Sequence, residues 1–297
     1  MYDVMIIGGG PAGLSAAMVL GRCRRKVILF DTGKPRNRWS EAMNGFITRD
    51  GINPGEFLEI GRNELVEYGI EVQKLEITCI DHTSEGFLAT DEKGETHRSK
   101  KLLLATGLKD KLPDLPGIEE MYGKTVHHCP YCDGWESRDK PVAIYGKKRN
   151  GFGLALSLKT WSDNVMLFTD GTNNLTGPQV SQLQRNGIQI NLKKIAKLEG
   201  KGSQLKEIVL ADGSVEKREV MFFNTGTEQQ STIGEMLGCE FTSKGVVKTR
   251  SLQKTNIKGI FVAGDASRDV QLVIVAAAEG TKAAVAINME LQEESRR

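Results

Sequence analysis

The sequence predicts an α/β protein made of two parallel-sheet domains, the second inserted into the first. Three observations support this fold class: a strand–turn–helix–strand pattern opens the chain, a second copy begins near residue 141, and a last strand and helix follow that copy. The 297 residues allow about two domains, at roughly 150 residues each. Strands that alternate with helices are typical of parallel sheets covered by helices.

The two copies of the pattern match without a gap when they are shifted by 138 residues. The first copy predicts a strand at 4–7, a glycine turn at 8–13, a helix at 14–22 and a strand at 27–30. The second predicts a strand at 142–145, a turn at 146–151, a helix at 152–160 and a strand at 165–168. Gly8 then falls on Gly146, and Gly13 falls on Gly151.

Later elements predict where the two domains begin and end. Each half has a further apolar strand that runs into Thr-Gly, at 102–107 and at 221–226. A last strand at 260–263 precedes a helix at about 275–291. We expect one domain from residues 1–110 and 229–297 and an inserted domain from residues 111–228, because proline-broken or polar segments lie at both crossings.

Composition excludes several classes of function. Apolar residues make up 39% and charged residues 26% of the chain, as in soluble globular proteins. The net charge of +2 is too small to indicate binding to nucleic acid or to a membrane surface. Neither a targeting segment nor an apolar window of about 18 residues is visible. We therefore expect a cytoplasmic protein.

The first glycine turn has the spacing of a dinucleotide site. Gly8, Gly10 and Gly13, with Pro11 and Ala12 between them, follow a strand and open a helix. Such glycines permit a tight turn, a close approach of the pyrophosphate and close packing of helix against strand. Asp31 ends the next strand, where a carboxylate accepts hydrogen bonds from ribose hydroxyls. Together these features predict two Rossmann-like dinucleotide-binding domains, without distinguishing FAD from NAD.

Two of the five cysteines, Cys129 and Cys132, form a C-x-x-C sequence. In a reducing compartment this spacing indicates redox chemistry or a metal site. If Cys132 starts a helical turn, free backbone N–H groups stabilise its thiolate. Asp133 is placed to move a proton to or from a thiolate or a flavin. The catalytic candidates are therefore Cys129, Cys132 and Asp133.

Three other interpretations of the cysteine pair remain open. A zinc site would use His127 and His128, although a closed site needs four ligands and no second C-x-x-C is present. The letters C-P-Y-C also occur in glutaredoxin-like modules, which place them after the first strand of a small domain. A plain core pair is the third interpretation. Each histidine, taken alone, is expected in packing or capping, with a role as thiol base as the alternative.

Four motifs together resemble the low-molecular-weight thioredoxin reductase family over essentially the whole chain. They are GGGPAG at 8–13, ATG at 105–107, C-x-x-C-D-G at 129–134 and FVAGDA at 261–266. The resemblance implies FAD in the discontinuous domain, a nicotinamide-type inserted domain that carries the dithiol, and a homodimer. It implies that Cys132 faces the flavin C4a, that Cys129 attacks the partner disulfide and that Asp133 is the acid.

The resemblance also implies a set of residues that bind FAD, including a backbone contact from Val72 to the adenine. The set comprises Gly8, Gly10, Pro11, Ala12, Gly13, Asp31, Asn44, Val72, Thr106, Gly107, Gly264, Asp265, Gln271 and Leu272. Two positions depart from the family pattern. The tetrad is CPYC where CATC is common, and Gln271-Leu272 stand where Arg-Gln is usual, which predicts a less cationic flavin edge.

The third departure lies in the second glycine turn and predicts poor use of NADPH. Gly10 falls on Lys148, whose side chain crowds the approach of a pyrophosphate. Asp31 falls on Thr169, and Asp170 follows, where NADPH-dependent relatives carry an HRR run. A carboxylate near a phosphate dianion repels it, at about 1–4 kcal/mol per charge pair at 4 Å.

Two alternatives to this prediction remain open. Lys147, Lys148 and Arg149 could form a substitute phosphate grip, because Lys and Arg bind phosphates in other geometries. NADH binding through Asp170 is the other alternative, and Lys148 weakens it in the same way. The second site is thus degenerate at Gly146, Lys148, Gly151 and Asp170.

The leading hypothesis is an enzyme that passes electrons between FAD and a Cys129–Cys132 dithiol and on to a thioredoxin-like protein or a small disulfide. The alternatives are a dithiol oxidase that uses oxygen and a reductase that depends on ferredoxin or flavodoxin. A flavin redox sensor is the non-enzyme alternative. We expect a homodimer that binds neither nucleic acid nor a membrane.

Overall fold

The computed structural model describes residues 1–146, 149–172, 174–267 and 270–296. Its strands are β1 Tyr2–Ile7, β2 Val27–Phe30, β3 Glu71–Gln73, β4 Ile77–Thr83, β5 Gly86–Asp91, β6 Thr96–Leu104, β7 Leu108–Asp110, β8 Val126–His127, β9 Val142–Tyr145, β10 Val165–Phe168, β11 Gln189–Asn191, β12 Ile195–Lys201, β13 Gln204–Leu210, β14 Val215–Lys217, β15 Val220–Phe223, β16 Thr227–Gln229 and β17 Ile260–Val262. Its α-helices are α1 Pro11–Arg22, α2 Pro54–Glu64, α3 Ile118–Met121, α4 Pro130–Asp133, α5 Arg149–Leu158, α6 Gly177–Arg185, α7 Ile233–Met236 and α8 Val273–Ser295. Among these helices we find none that combines the length and the apolar character needed to cross a bilayer.

The chain divides into two compact units. Unit 1 contains Met1–Arg38, Gly45–Lys109 and Thr227–Arg297. Unit 2 contains Asp110–Gly226 together with the short segment Trp39–Asn44. Parallel sheets with helices in each unit confirm the predicted α/β class. The assignment of Trp39–Asn44 to unit 2 has no counterpart in the sequence pattern.

Unit 1 is built on a sheet whose parallel part has the order β3-β2-β1-β6-β17, and β5 and β4 continue it antiparallel from β6. Both faces of β1 are buried. Val4 and Ile6 pack in the core under α1 and α8, whereas Met5 and Ile7 pack in the core on the opposite face. A strand covered on both faces explains the uninterrupted apolar run in the sequence.

Helices α1 and α8 pack against each other through small residues. A Cβ atom built on Gly280 would lie 1.9 Å from the carbonyl oxygen of Ala12, so only glycine permits this approach. Ala17, Ala283 and Ala284 lie buried in the same core. Close packing at this point brings the start of α1 against the C-terminal helix of unit 1.

Unit 2 repeats the arrangement with the parallel order β11-β10-β9-β15-β8, beside a three-stranded antiparallel sheet β12-β13-β14. The strand register confirms the internal repeat. Val4 pairs with Val27 in unit 1, and Val142 pairs with Val165 in unit 2, so the shift of 138 residues maps one pairing onto the other.

Several element boundaries differ from the prediction. Helix α1 begins at Pro11 rather than at residue 14, and α5 begins at Arg149 rather than at 152. Helix α8 extends to Ser295, four residues beyond the predicted end. Apolar periodicity marks the residues that a helix buries, whereas its ends depend on backbone hydrogen bonds, which the pattern does not report.

Candidate active site

The two cysteines of the C-x-x-C sequence form a disulfide, with 5.3 Å between their Cα atoms. Helix α4 begins at Pro130, so Cys129 is its N-cap residue and the condition considered for Cys132, that it starts the turn, is not met. The backbone N–H of Cys132 donates to Sγ of Cys129 at 3.1 Å. Such a contact favours the thiolate form of the sulfur that accepts it, and here that sulfur belongs to Cys129.

His127 and Asp133 meet beside the disulfide. Nδ1 of His127 lies 3.3 Å from Oδ1 of Asp133, with side-chain exposures of 9% and 20%. Burial, with a smaller contribution from Glu136, raises the pKa of Asp133 to about 7. Burial also lowers the pKa of His127 to about 3, assisted by the nearby positive charges of His128 and Lys140. Near neutral pH the imidazole is therefore uncharged, and the carboxyl group is close to its midpoint.

The second histidine belongs to a different group of side chains. Nδ1 of His128 lies 3.3 Å from the hydroxyl of Tyr122 and 3.7 Å from Oδ2 of Asp110. The Tyr122 hydroxyl donates to the same Asp110 oxygen at 2.7 Å. His128 thus contacts a buried carboxylate and a phenol, while His127 contacts Asp133.

Asn44 contacts the dithiol loop. Its Nδ2 donates to the carbonyl oxygen of Cys132 at 3.0 Å. In the same segment, Glu41 pairs with Lys124 at 2.9 Å. The structure therefore gives Asn44 a contact with the cysteine turn, and its predicted contact with FAD stays a prediction.

The surface beside the disulfide carries aromatic side chains. Tyr131, between the two cysteines, is 77% exposed, and Trp135 is 66% exposed. The ring of Tyr131 meets the ring of Trp161 edge-on at 5.8 Å, and the Arg138 guanidinium lies 4.3 Å above the ring of Trp135. Exposed aromatic side chains of this kind are favoured at contact surfaces because they bring large area with few rotatable bonds.

The first glycine turn leaves room for a side chain at one of its positions and none at two others. A Cβ atom on Gly8 would lie 2.2 Å from the carbonyl oxygen of Ala105, and one on Gly13 would lie 1.9 Å from the carbonyl oxygen of Gly8. Gly8 also has a φ of +109°, which side chains disfavour. By contrast, no described atom lies within 4 Å of a Cβ atom on Gly10. Gly8 and Gly13 serve packing, and Gly10 faces open space.

The start of α1 presents free donors to this space. Pro11 occupies the first turn, Gly10 is the N-cap, and no described side chain caps the helix. The first turn, which includes Ala12, also contains no acidic residue. Uncapped N–H groups and the positive end of the helix dipole together attract an anion.

Asp31 lies beside the same turn. It follows β2 directly, and its backbone N–H donates to the carbonyl of Gln73 at 3.0 Å. A Cβ atom on Gly9 would lie 2.8 Å from its side chain, and Arg62 approaches its carboxylate to 3.9 Å. Val72 lies in the neighbouring strand β3. The fold thus brings Asp31 to the glycine turn, as the sequence predicts, and places Val72 one strand away.

Two predicted segments follow the neighbouring strands β6 and β17. Thr106 and Gly107 come after β6, where Gly107 has a φ of +70° and its carbonyl accepts a hydrogen bond from the N–H of Gln230 at 3.1 Å. Gly264 follows β17, and its N–H donates to the buried carboxylate of Glu279 at 3.0 Å. A Cβ atom on Gly264 would lie 3.0 Å from that of Ala12. Gly264 therefore lies against the first turn of α1.

Arg36 joins Asp265 to Gln271. Its Nη1 lies 3.0 Å from Oδ2 of Asp265 and donates to Oε1 of Gln271 at 2.5 Å. Leu272 is the N-cap residue of α8. A loop after β2 thus brings a guanidinium to Gln271, where it is paired with Asp265, and the less cationic flavin edge at Gln271-Leu272 stays a prediction.

A model of the pyridine nucleotide-disulphide oxidoreductase family matches residues 2–280. The chain belongs to this family. It is 32% identical to the probable thioredoxin reductase of Arthroderma benhamiae, over 99% of this chain and 81% of that protein. The crystal structure of Bacillus anthracis TrxB matches with a TM-score of 0.95 and 34% identity over 99% of this chain and 100% of the other. The crystal structure of HlmI matches with a TM-score of 0.94 and 34% identity over 99% of this chain and 93% of the other.

These matches confirm the resemblance to low-molecular-weight thioredoxin reductases, and the protein is an FAD-dependent disulfide oxidoreductase. The residues of unit 1 fit a flavin dinucleotide. The uncapped start of α1 can receive a pyrophosphate, the space at Gly10 admits it, and Asp31 lies beside the turn. Arg36, in the loop after β2, forms an ion pair with Asp265, in the segment after β17.

The second glycine turn of this oxidoreductase keeps the packing role of its glycines. A Cβ atom on Gly151 would lie 2.6 Å from the carbonyl oxygen of Gly146. Asp170 accepts hydrogen bonds from the Tyr145 hydroxyl at 2.9 Å and from the N–H of Ile195 at 3.0 Å. The buried hydroxyl of Thr169 has no hydrogen-bond partner among the described residues. Asp170 is thus part of the local structure of unit 2.

The substitute phosphate grip proposed for this turn cannot be compared with the structure. Lys147 and Lys148 lie outside the described residues, as does the side chain of Arg149. Sequence reasoning missed two other contacts. The KPRNR run at 34–38 indicates a basic loop but not the residues that Arg36 contacts. The pairing of His127 with Asp133 was indicated only by their closeness in the sequence.

Proposed function

We propose that this oxidoreductase passes two electrons from FAD to the Cys129–Cys132 disulfide and then to a thioredoxin-like protein disulfide or a small disulfide substrate. The formed disulfide carries the proposal, because its loop gives Cys129 a backbone donor and is flanked by a carboxyl group with a pKa of about 7. Neither a zinc site nor a core pair requires that combination.

The proposed FAD site lies in unit 1. When bound, FAD supplies the two-electron chemistry. The residues proposed to hold it are Gly8, Gly10, Pro11, Ala12, Gly13, Asp31, Asn44, Val72, Thr106, Gly107, Gly264, Asp265, Gln271 and Leu272. Arg36 joins this set, because it orients both Asp265 and Gln271.

In the proposed exchange, the thiolate of Cys129 attacks one sulfur of the substrate disulfide, and the other substrate sulfur leaves with the bonding electron pair. Cys132 then attacks Cys129 in the mixed disulfide and releases the second substrate sulfur. Each released thiolate takes a proton, and Asp133 is the proposed donor. Exchange of this type depends on thiolate attack and on the pKa of the leaving thiol.

We further propose that NADPH and NADH are poor electron donors for this protein. Asp170 stands where a phosphate-binding arginine would be needed, and Tyr145 and Ile195 hold it in place. Electrons would then come from a donor such as ferredoxin or flavodoxin. The partners proposed are a thioredoxin-like protein and a second copy of the chain, in the cytoplasm.

The test is anaerobic photoreduction of the flavin, followed by rapid mixing with an oxidised thioredoxin, a small aromatic disulfide or oxygen. We expect reoxidation by at least one disulfide to be more than about tenfold faster than reoxidation by oxygen. Faster reoxidation by oxygen would instead identify a dithiol oxidase. Slow reoxidation by all three would favour the redox sensor and contradict the proposal.

A further inference from the structure

The C-terminal helix α8 carries a buried acidic residue on a face that otherwise consists of small side chains. Glu279 is 6% exposed, and Ala276, Gly280 and Ala283 are buried on the same side of the helix. Acidic side chains are almost never fully buried in proteins unless they have a partner. The burial of Glu279 therefore indicates a specific contact rather than packing alone.

The partner of Glu279 is the backbone at the end of strand β17. The N–H of Ala263 donates to the carbonyl of Leu104 at 3.0 Å and so continues the pairing with β6. The next N–H, that of Gly264, donates to Oε2 of Glu279 at 3.0 Å. The carbonyl of Gly264 accepts a hydrogen bond from the Ser267 hydroxyl at 3.3 Å. Where the chain leaves the sheet, side chains thus supply the hydrogen bonds that buried backbone groups require.

The turn at Gly264 lies in close contact with the first turn of α1. Gly264 has a φ of +76°, a conformation that favours glycine. A Cβ atom built on it would lie 3.0 Å from the Cβ atom of Ala12. The backbone of Gly264 can therefore lie against α1 only in this conformation, and the hydrogen bond from its N–H to Glu279 helps to hold it there.

Helix α8 contacts both turns with consecutive residues. Glu279 accepts from Gly264, and a Cβ atom on Gly280 would lie 1.9 Å from the carbonyl oxygen of Ala12. One turn of α8 thus fixes the spacing between the start of α1 and the segment after β17. A ligand that contacts two segments binds more tightly when their spacing is set before it arrives.

We propose that Glu279 is a positioning residue for FAD, which holds the backbone of Gly264 and Asp265 at a fixed place against the start of α1. The inference rests on the proposed function in one respect, namely that these two segments form the FAD site. In this arrangement Glu279 acts on the backbone of the segment. Arg36, 3.0 Å from the carboxylate of Asp265, acts on its side chain.

The role requires an acceptor atom at the position of Oε2. The amide oxygen of glutamine can accept the same hydrogen bond, whereas the sulfur of methionine is a weak acceptor. A buried N–H without a partner is unfavourable. The segment that contains Gly264 would then move toward another acceptor, and the spacing from α1 would change.

The experiment measures FAD release when the purified, FAD-loaded protein is diluted in steps, from the rise in flavin fluorescence. We expect Glu279→Met to raise the dissociation constant of FAD by about tenfold or more, because the N–H of Gly264 loses its acceptor. Glu279→Gln should keep the constant within about threefold of the wild-type value, because its amide oxygen accepts in the same place.

Thr255→Val is the matched control at the other end of β17. Thr255 is 6% exposed, and its hydroxyl accepts a hydrogen bond from the N–H of Ile257 at 3.0 Å. The variant should lower the unfolding temperature, measured by circular dichroism, and leave the dissociation constant of FAD unchanged. If Thr255→Val weakens FAD binding as much as Glu279→Met does, general destabilisation explains the loss and the proposal is overturned.

An unchanged dissociation constant in Glu279→Met would also overturn the proposal. So would equal losses in the methionine and glutamine variants, because the acid rather than the acceptor would then matter. If the methionine variant does not fold, Glu279→Asp takes its place, since it keeps the acid but withdraws the oxygens by one methylene group. FAD should bind more weakly to the aspartate variant than to the glutamine variant, and the opposite order would contradict the inference.

The release of FAD is measured without turnover, so the two proposals fail separately. If FAD affinity follows Glu279 as expected but the photoreduced protein reduces no disulfide, the proposed function fails and the role of Glu279 stands. If disulfides are reduced and FAD affinity ignores Glu279, the inference about Glu279 fails alone.

Discussion

At the scale of single residues, the two cysteines differ in what surrounds each sulfur. The N–H of Cys132 points to the sulfur of Cys129, and the carbonyl of Cys132 accepts a hydrogen bond from Asn44. The first contact stabilises negative charge on Cys129, while the second fixes the backbone of Cys132. This asymmetry is the reason for proposing Cys129 as the sulfur that attacks the substrate.

We expect Cys129→Ser and Cys132→Ser each to lower disulfide turnover by more than about 10³-fold while FAD stays bound, because both sulfurs are needed for exchange. Cys129→Ser should also show a long-wavelength charge-transfer band from a Cys132 thiolate beside the flavin. Absorbance spectra and turnover assays check this prediction. Cys23→Ser, at an exposed free cysteine, is the control, and a band only in Cys132→Ser would reverse the roles.

We expect Gly10→Val to lose FAD without losing the fold. Gly10 has a φ of −75° and a ψ of −176°, which valine adopts readily, and no described atom would touch the new side chain. The valine would instead occupy the space proposed for the pyrophosphate. The measurement is the ratio of FAD to protein by absorbance, which should fall at least about tenfold.

Gly153→Val is the matched control, since a Cβ atom there also meets no described atom within 4 Å. It lies in α5 of unit 2 and should keep about one FAD per chain. Full retention of FAD in Gly10→Val would show that the first glycine turn is not the flavin site.

At the scale of elements, a buried lysine ties the C-terminal helix to the central sheet. Lys101 on β6 is 3% exposed and pairs with Glu290 at 3.0 Å and Glu294 at 2.7 Å on α8. Lys254 also pairs with Glu290 at 2.9 Å. A buried ammonium group is costly without its carboxylates, so the position of α8 is linked to charge as well as to packing.

We expect Glu290→Gln to lower the free energy of unfolding by about 1–3 kcal/mol at pH 7, because Lys101 loses a charged partner. Burial alone would raise the pKa of Glu290, but hydrogen bonds from Lys254 and Lys101 outweigh burial and lower it. The stabilisation is therefore present above the unfolded pKa of about 4.3 and is lost as the pH falls through the lower folded pKa.

Thermal unfolding of the wild type and the variant between pH 3 and pH 8 measures this effect. Glu240→Gln is the control, because its partner Lys248 is 63% exposed and such surface pairs contribute about 0–1 kcal/mol. If the free energies of unfolding of the wild type and Glu290→Gln differ as much at pH 3 as at pH 7, the stabilisation by Glu290 is not electrostatic.

At the scale of the whole molecule, the same strand–turn–helix–strand arrangement occurs once in unit 1 and once in unit 2. Both copies keep the strand register and the glycines that pack the helix against the strand. They differ at the end of the second strand, where Asp31 lies beside its glycine turn and Asp170 is engaged by Tyr145 and Ile195. The same strand–turn–helix–strand arrangement is thus retained in both units, while the residues at the end of the second strand differ.

We expect saturating NADPH or NADH to bleach the flavin slowly or not at all in anaerobic stopped-flow experiments. Asp170 would repel the 2′-phosphate of NADPH, and no arginine occupies positions 169–171. Dithionite is the control for a reducible flavin. Full bleaching by NADPH within seconds would show that this second unit is a working nicotinamide site.

The sequence by itself determined the parts of this protein that depend on neighbours along the chain. Apolar runs on either side of glycine turns predicted strands β1, β2, β9 and β10, because a parallel strand buried on both faces tolerates few polar residues. The spacing of Cys129 and Cys132 predicted a redox pair, since two thiols three positions apart are brought together by one helical turn. The internal repeat predicted two similar units.

Only the tertiary structure decided which distant side chains meet. Arg36 contacts Asp265 and Gln271, which are 229 and 235 residues away. Lys101 pairs with carboxylates 189 and 193 residues later in the chain. The same holds for the pairing of His127 with Asp133, which depends on the strand β8, the turn α4 and the neighbouring Phe222. Such contacts depend on strand order and helix packing, and neither can be read from the residues close to each position in the sequence.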